Sequence, residues 1–235
     1  MSPLVDVQQA QETAAEDERR LATQQGPLDP QGNAPIPLDS SVTTQVTRTD
    51  FLESELQYKR KISSFEQALG PDHPSVASGL SDLAFLYKTQ ARYPEAEALY
   101  RRALGILEKG VEPASPQLAF VLTSLARLYT VQSRYADAEP LYKRVLAIDE
   151  KTYGKEHQKV AADLKNLIEL YLTQARYRDA VPLYQRMVAI LEQVLGPRDP
   201  EIAAALDRYA LCLEKIGNTQ KAKKMRGQAD RMRSE

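Results

Sequence analysis

Residues 89–93 read TQARY, residues 173–177 read TQARY again, and VQSRY stands midway at 131–135. This 42-residue step constrains the fold more than any other feature, because a unit repeated in register must pack on copies of itself. Leu80, Leu122, Leu164 and Leu206 share one column, and Ala96, Ala138, Ala180 and Ala222 share another. Tyrosines occupy three more: Tyr87, Tyr129 and Tyr171; Tyr93, Tyr135 and Tyr177; Tyr58, Tyr100, Tyr142 and Tyr184. Ten of the twelve tyrosines are therefore placed by the repeat, which reads as packing rather than chemistry.

Within a unit, Val76, Leu80, Leu83, Ala84 and Tyr87 recur at helical spacing, and Ala96, Leu99, Tyr100, Ala103, Leu104 and Leu107 do so after a short break. Each unit is expected to be a helical hairpin. Ser115 before Pro116 and Asp199 before Pro200 supply a capping side chain followed by proline at the first helical position. His73 before Pro74 takes the same place and reads as a helix-start residue rather than a catalytic one. Pro140 and Pro182, about one turn into their second helices, predict a small kink. Since one hairpin cannot bury its apolar face, the array depends on stacking.

The spacing L-x-x-L-A-x-x-Y followed by Y-x-x-A-x-x-x-Y resembles the tetratricopeptide repeat. Its 42-residue period, with LGPDHPSVA at 69–77 echoed by LGPRDPEIA at 195–203, is similar to the kinesin-light-chain-like form of that family. The resemblance spans about 66 to 225 and implies an all-α fold, a right-handed α-solenoid of stacked helical hairpins. Departures are the linker KGVEPASPQLA, which lacks a glycine at its matching place, and Leu213 and Thr219 where tyrosines stand elsewhere.

The expected organisation is a tail over 1–47 and a repeat domain over 48–235. The domain holds a capping helix at 52–69 and repeats at about 74–110, 116–152, 158–194 and 200–232. The tail has few large apolar residues and carries Pro27, Pro30, Pro35 and Pro37, which predicts an extended or disordered segment. With seven acids and two arginines its net charge is −5, leaving +4 for the remainder of a chain whose total is −1. Near-neutral balance argues against a surface built as a nucleic-acid footprint. The basic stretch KAKKMRGQADRMRSE suits the last helix of an array and lacks the interleaved aromatics of a base-stacking site.

Catalysis has no support. His73 and His157 have no Cys or His spaced to complete a zinc site, and phosphate-binding glycine loops and a nucleophile elbow are lacking. Acidic residues fall mostly on solvent-facing phases, so a carboxylate pair with a raised pKa is not expected. Cys212, the single cysteine, reads as a small core residue. No catalytic residue, cofactor or metal site is assigned. No run reaches the roughly 18 apolar residues of a membrane span, and residues 1–10 lack a signal-peptide pattern. The sequence as written points to the cytoplasm, whereas a removed leader would place the protein in the periplasm or tethered to a membrane.

Helical phase locates a surface instead. The free stripes of the first helices, opposite the core, are expected to line a concave groove. On or beside them lie Asp82, Phe85, Phe120, Ser124, Arg127, Lys165, Asn166, Glu169 and Arg208. Phe85 and Phe120 would anchor an apolar group of a bound segment, while Arg127, Lys165 and Arg208 would meet ligand carboxylates. The family resemblance implies that asparagine and basic residues on this face clamp extended peptides. Asn166 matches the asparagine column, from which Asp82, Ser124 and Arg208 depart. The reading is a non-enzymatic scaffold or adaptor binding a partner's peptide or helix, with no nucleic acid and no membrane insertion. The alternative is a structural subunit that docks into a larger complex through its outer or terminal surfaces.

Overall fold

The computed structural model describes residues 48–110, 115–196 and 199–234. The tail expected over 1–47 and most of the glycine-poor part of the second linker lie outside them. The described residues form α1 (Arg48–Leu69), α2 (Pro74–Thr89), α3 (Tyr93–Gly110), α4 (Pro116–Val131), α5 (Tyr135–Tyr153), α6 (Gln158–Thr173), α7 (Tyr177–Leu195), α8 (Pro200–Lys215) and α9 (Thr219–Ser234), with no strand among them. The front helix thus starts at Arg48, four residues ahead of the predicted 52.

The starts of the four first helices are capped by side chains: His73 Nδ1 accepts from Ser75 N, Ser115 Oγ from Leu118 N, His157 Nδ1 from Lys159 N and Asp199 Oδ1 from Glu201 N. Both histidines are therefore structural. Helices α5 and α7 run on through Pro140 and Pro182, whose rings leave one carbonyl each without its intrahelical donor.

The turn inside each hairpin explains the repeated TQARY. Ala91, Ser133 and Ala175 adopt φ of 55°, 58° and 54°, and Gly217 takes the matching place at 83°. Around each, the next residue's N–H reaches five residues back: Arg92 to Tyr87 O, Arg134 to Tyr129 O, Arg176 to Tyr171 O and Asn218 to Leu213 O. The left-handed residue's own N–H closes the inner bond, to Lys88, Thr130, Leu172 and Glu214 respectively. This is the Schellman termination, which redirects the chain in three residues and fixes the hairpin angle.

Each helix packs on the next along the chain, and α2 also touches α4. The core is a continuous file of repeat positions, with Leu80, Leu122, Leu164 and Leu206 and the four alanines all essentially inaccessible. Of the tyrosine columns, Tyr87/129/171 and Tyr100/142/184 are buried, whereas Tyr93, Tyr135, Tyr177 and Tyr58 are only half-buried.

Between successive hairpins lies a recurring polar clamp. A glutamate on one second helix accepts the hydroxyl of a tyrosine on the next first helix: Tyr87 to Glu55 at 2.8 Å, Tyr129 to Glu97 at 3.0 Å and Tyr171 to Glu139 at 2.9 Å. The arginine that follows the left-handed residue lies over that tyrosine's ring, 4.1–4.4 Å from its centroid, and turns to the same glutamate. Arg134 reaches Glu97 and Arg176 reaches Glu139 at 2.6 Å, while Arg92 stands 3.6 Å from Glu55. A basic residue four places on, Lys59, Arg101 or Lys143, completes the set. On the outer side the second helices are linked by Glu66–Arg102, Glu108–Arg144 and Glu150–Arg186.

The Arg176 guanidinium, with Lys143 and Tyr171, holds the Glu139 carboxyl down to about 2 against its desolvation. Glu55, through Lys59, and Glu97, where Arg134 and Tyr129 outweigh burial, move the same way. Glu139 binds its proton more weakly folded than unfolded. The clamp's contribution is therefore whole above about pH 4.5 and is lost as pH falls toward 2.

Two outcomes are expected. Ala91→Gly and Ala175→Gly should each raise the unfolding free energy read from urea titration by about 0.5–1 kcal/mol, because glycine relieves the left-handed strain, whereas Ala98→Gly in the interior of α3 should lower it by about 1 kcal/mol. Glu139→Ala should cost about 1–2 kcal/mol at pH 7, and its thermal midpoint should fall less steeply than the parent's between pH 4.5 and 2 in circular-dichroism melts. Parallel acid profiles would remove Glu139 from the clamp.

Candidate interaction groove

The first helices α2, α4, α6 and α8 bury one stripe and leave the opposite one on a shared face. Phe85 and Phe120 on that face are 59% and 62% exposed, and Val131 and Leu211 are also open to solvent. Phe120 borders a recess of about 330 Å³ between α2 and α4, whose walls include Ser78, Asp82 and Pro116 and whose floor is Leu107 and Val121. A smaller recess of about 80 Å³ recurs two hairpins on, lined by Lys165, Glu169, Met187, Leu191, Ala205 and Arg208. Leu107 and Leu191 share one repeat column, and Val121 and Ala205 another, so the seam between hairpins produces both recesses.

Most of the predicted polar residues already have partners on this face. Asp82 accepts from Lys61 of α1 at 3.1 Å, Arg127 donates to Asn166 Oδ1 at 3.3 Å, and Arg208 pairs with Glu169 at 2.6 Å. Ser124 lies beside the buried Tyr100, whose hydroxyl is pushed up in pKa chiefly by burial. The structure thus joins Arg127 to Asn166 and Glu169 to Arg208, and draws Asp82 toward the capping helix. Lys165 has no ion pair among the described residues. A cation missing from the sequence-derived set is Lys88: its ammonium is 5.9 Å from the Phe85 ring centroid, and burial together with the nearby Arg127 pushes its pKa down. Lys88 follows Phe85 by three residues, close to one helical turn, and that spacing was the available signal.

One sequence-derived expectation needs correction. A buried carboxylate pair was not expected, yet Asp149 of α5 and Asp163 of α6 are 1% and 6% exposed and close enough that, after the larger effect of burial, Asp149 pushes the Asp163 carboxyl up. Helical phase failed here because both aspartates occupy core columns. Asp149 stands where Leu107 and Leu191 do, and Asp163 where Val121 and Ala205 do. Comparing columns rather than phases would have found them. Cys212 is buried as expected, with its thiol raised by that burial.

Among the described residues no cluster of three metal-capable side chains exists, and no helix is long and apolar enough to cross a membrane. What the face can do chemically is bind: it offers apolar rings beside recesses, with amide, ammonium and guanidinium groups arranged along the same helices.

A comparison with curated proteins gives no match. Among solved structures, a putative kinesin light chain with nearly identical TPR-like repeats from Podosopora anserina superposes with a TM-score of 0.67 at 24% identity, over 79% of this chain and 88% of that one. BtubC (BKLC) from P. vanneervenii gives 0.69 at 24% identity, over 100% of this chain and 92% of the other. YrrB, described as a TPR protein with an unusual peptide-binding site, gives 0.50 at 17% identity, over 79% and 83%. The tetratricopeptide repeat family model matches residues 48–109, 117–193 and 162–229. With the front helix and all but the end residues of the four hairpins inside those matches, the chain belongs to the tetratricopeptide repeat family.

Proposed function

We propose that this protein is a non-enzymatic interaction scaffold whose first-helix face binds a segment of a partner protein. The observation that carries the reading is the pair of phenylalanines, Phe85 and Phe120, more than half exposed on a face where the repeat places no aromatic in two of the four units. Apolar rings kept in water are unfavourable unless something covers them. The recess beside Phe120 is large enough for one apolar side chain of that partner.

Polar recognition falls to Lys88, Arg127 and Lys165 rather than to Arg208, whose guanidinium is committed to Glu169. The partner segment therefore carries an apolar anchor for the first and second hairpins and a carboxylate within reach of Lys88 and Arg127. That a fold neighbour, YrrB, is described as having a peptide-binding site supports the general mode.

The test is quantitative capture from native lysate with the parent chain and a Phe85→Ala, Phe120→Ala variant of unchanged helical content. Truncating two exposed rings should leave folding within about 0.5 kcal/mol of the parent. Loss of an aromatic anchor should lower recovery of specific partners by ~30-fold or more. Unchanged recovery would sink the reading and favour docking through the terminal helix, where Lys223→Glu, Lys224→Glu is the matching variant.

A further inference from the structure

Asp149 and Asp163 meet at the seam between the second and third hairpins. Neither Asp149 oxygen nor Asp163 Oδ2 has a hydrogen-bond partner among the described groups. The corresponding places at the neighbouring seams hold Leu107 with Val121 and Leu191 with Ala205. Two carboxyls thus replace an apolar contact at one seam of three. Unpartnered buried oxygens of this kind are rare and call for a physical account.

A single proton supplies it. With one carboxyl neutral, its O–H donates to the other and both groups gain a partner; with both ionised, two negative charges face each other out of water. We propose that Asp149 and Asp163 form a proton-held latch joining the second and third hairpins, closed while the pair shares a proton and loosened when that proton leaves.

The surroundings allow this. Lys159 Nζ is 3.9 Å from Asp149 Oδ2, so one cation stands beside two carboxyls. Helix α4, packed on α5, carries Arg127 as its single charged residue, and that side chain is directed to Asn166. Arg186 of α7 is taken by Glu150 and by the carbonyl of Lys155. His157 caps α6 with Nδ1 accepting from Lys159 N, and Tyr153 stacks on its ring. No second cation is therefore directed at the pair. Burial, then the hydrogen bond and the charge of Asp149, push Asp163 up to about 7.

The sign follows from linkage. A carboxyl that holds its proton more tightly folded than unfolded gives stability that is full below about pH 4 and is lost as pH rises through 7. Neutral pH lies on that slope, so modest alkalinisation would weaken one seam of the array and leave the apolar seams untouched. The latch is independent of whether the first-helix face binds a partner.

The experiment follows the full chain from pH 5 to 8.5. Hydrogen exchange, corrected for its intrinsic pH dependence, is read at three seams: residues 103–107 with 118–122, 145–149 with 160–164, and 187–191 with 202–206. The expected result is a roughly tenfold greater acceleration at the middle seam than at the other two. In parallel, the parent's thermal midpoint should fall by several degrees across this range, while Asp163→Asn, which keeps a donor facing Asp149, should stay nearly level. Equal acceleration at all three seams would overturn the proposal, as would parallel midpoint profiles for the parent, Asp163→Asn and Asp149→Asn. Should the variants fail to fold, the exchange comparison within the parent decides alone.

Discussion

Every junction between the first three hairpins and the helices before them is fixed by one carboxylate that takes a directional hydrogen bond and an ion pair at once. Glu55, Glu97 and Glu139 each receive a tyrosine hydroxyl and face an arginine from the following unit. Apolar burial supplies most of the attraction between hairpins, but it is tolerant of sliding and rotation. A charged acceptor with two donors on the next hairpin is not. The same arginine also follows the left-handed residue of the intrahairpin turn, so the angle within one unit and the register between units are set by adjacent residues.

This coupling explains how the clamp ends. At the last junction the glutamate, tyrosine and arginine columns hold Val181, Leu213 and Asn218, so all three members change together. Leu213 is buried and Val181 packs against the same cluster, making the contact apolar. Keeping only one or two members would leave a partly buried charge or hydroxyl unpaired, which is worse than an apolar replacement. Asn218 turns instead to the start of α9, where its side chain accepts from Lys221 N. Here glycine, as Gly217, occupies the left-handed position that the other turns fill with alanine or serine.

The two faces of the array follow different logic. On the outer side, glutamate and arginine repeat at fixed spacing and neutralise each other, giving a regular, solvated surface. On the first-helix face the repeat relaxes. Phe85, Arg127, Glu169 and Leu211 share one column with four different chemistries, and Phe120 shares its column with Ser78, Ala162 and Ala204. Positions released from the packing constraint are the ones free to differ, which is the composition expected of a recognition surface rather than a scaffold wall. The aspartate pair departs from this division, because it breaks the repeat inside the core, where variation costs most.

The sequence by itself determined the hairpin architecture, the core columns, the capped helix starts and the stripe containing Phe85 and Phe120. All of these follow from one-dimensional periodicity, and a 42-residue step states them several times over. It also placed Asp82, Arg127, Asn166, Glu169 and Arg208 on a common face, but not which of them touch. Only the tertiary structure decided that Arg208 is spent on Glu169, that the tyrosine hydroxyls are clamp donors, and that two aspartates are buried at one seam. Helical phase assigns each side chain a direction from its own helix, whereas pairing and desolvation depend on the distance to a neighbouring helix, and that distance exists only once the hairpins are stacked.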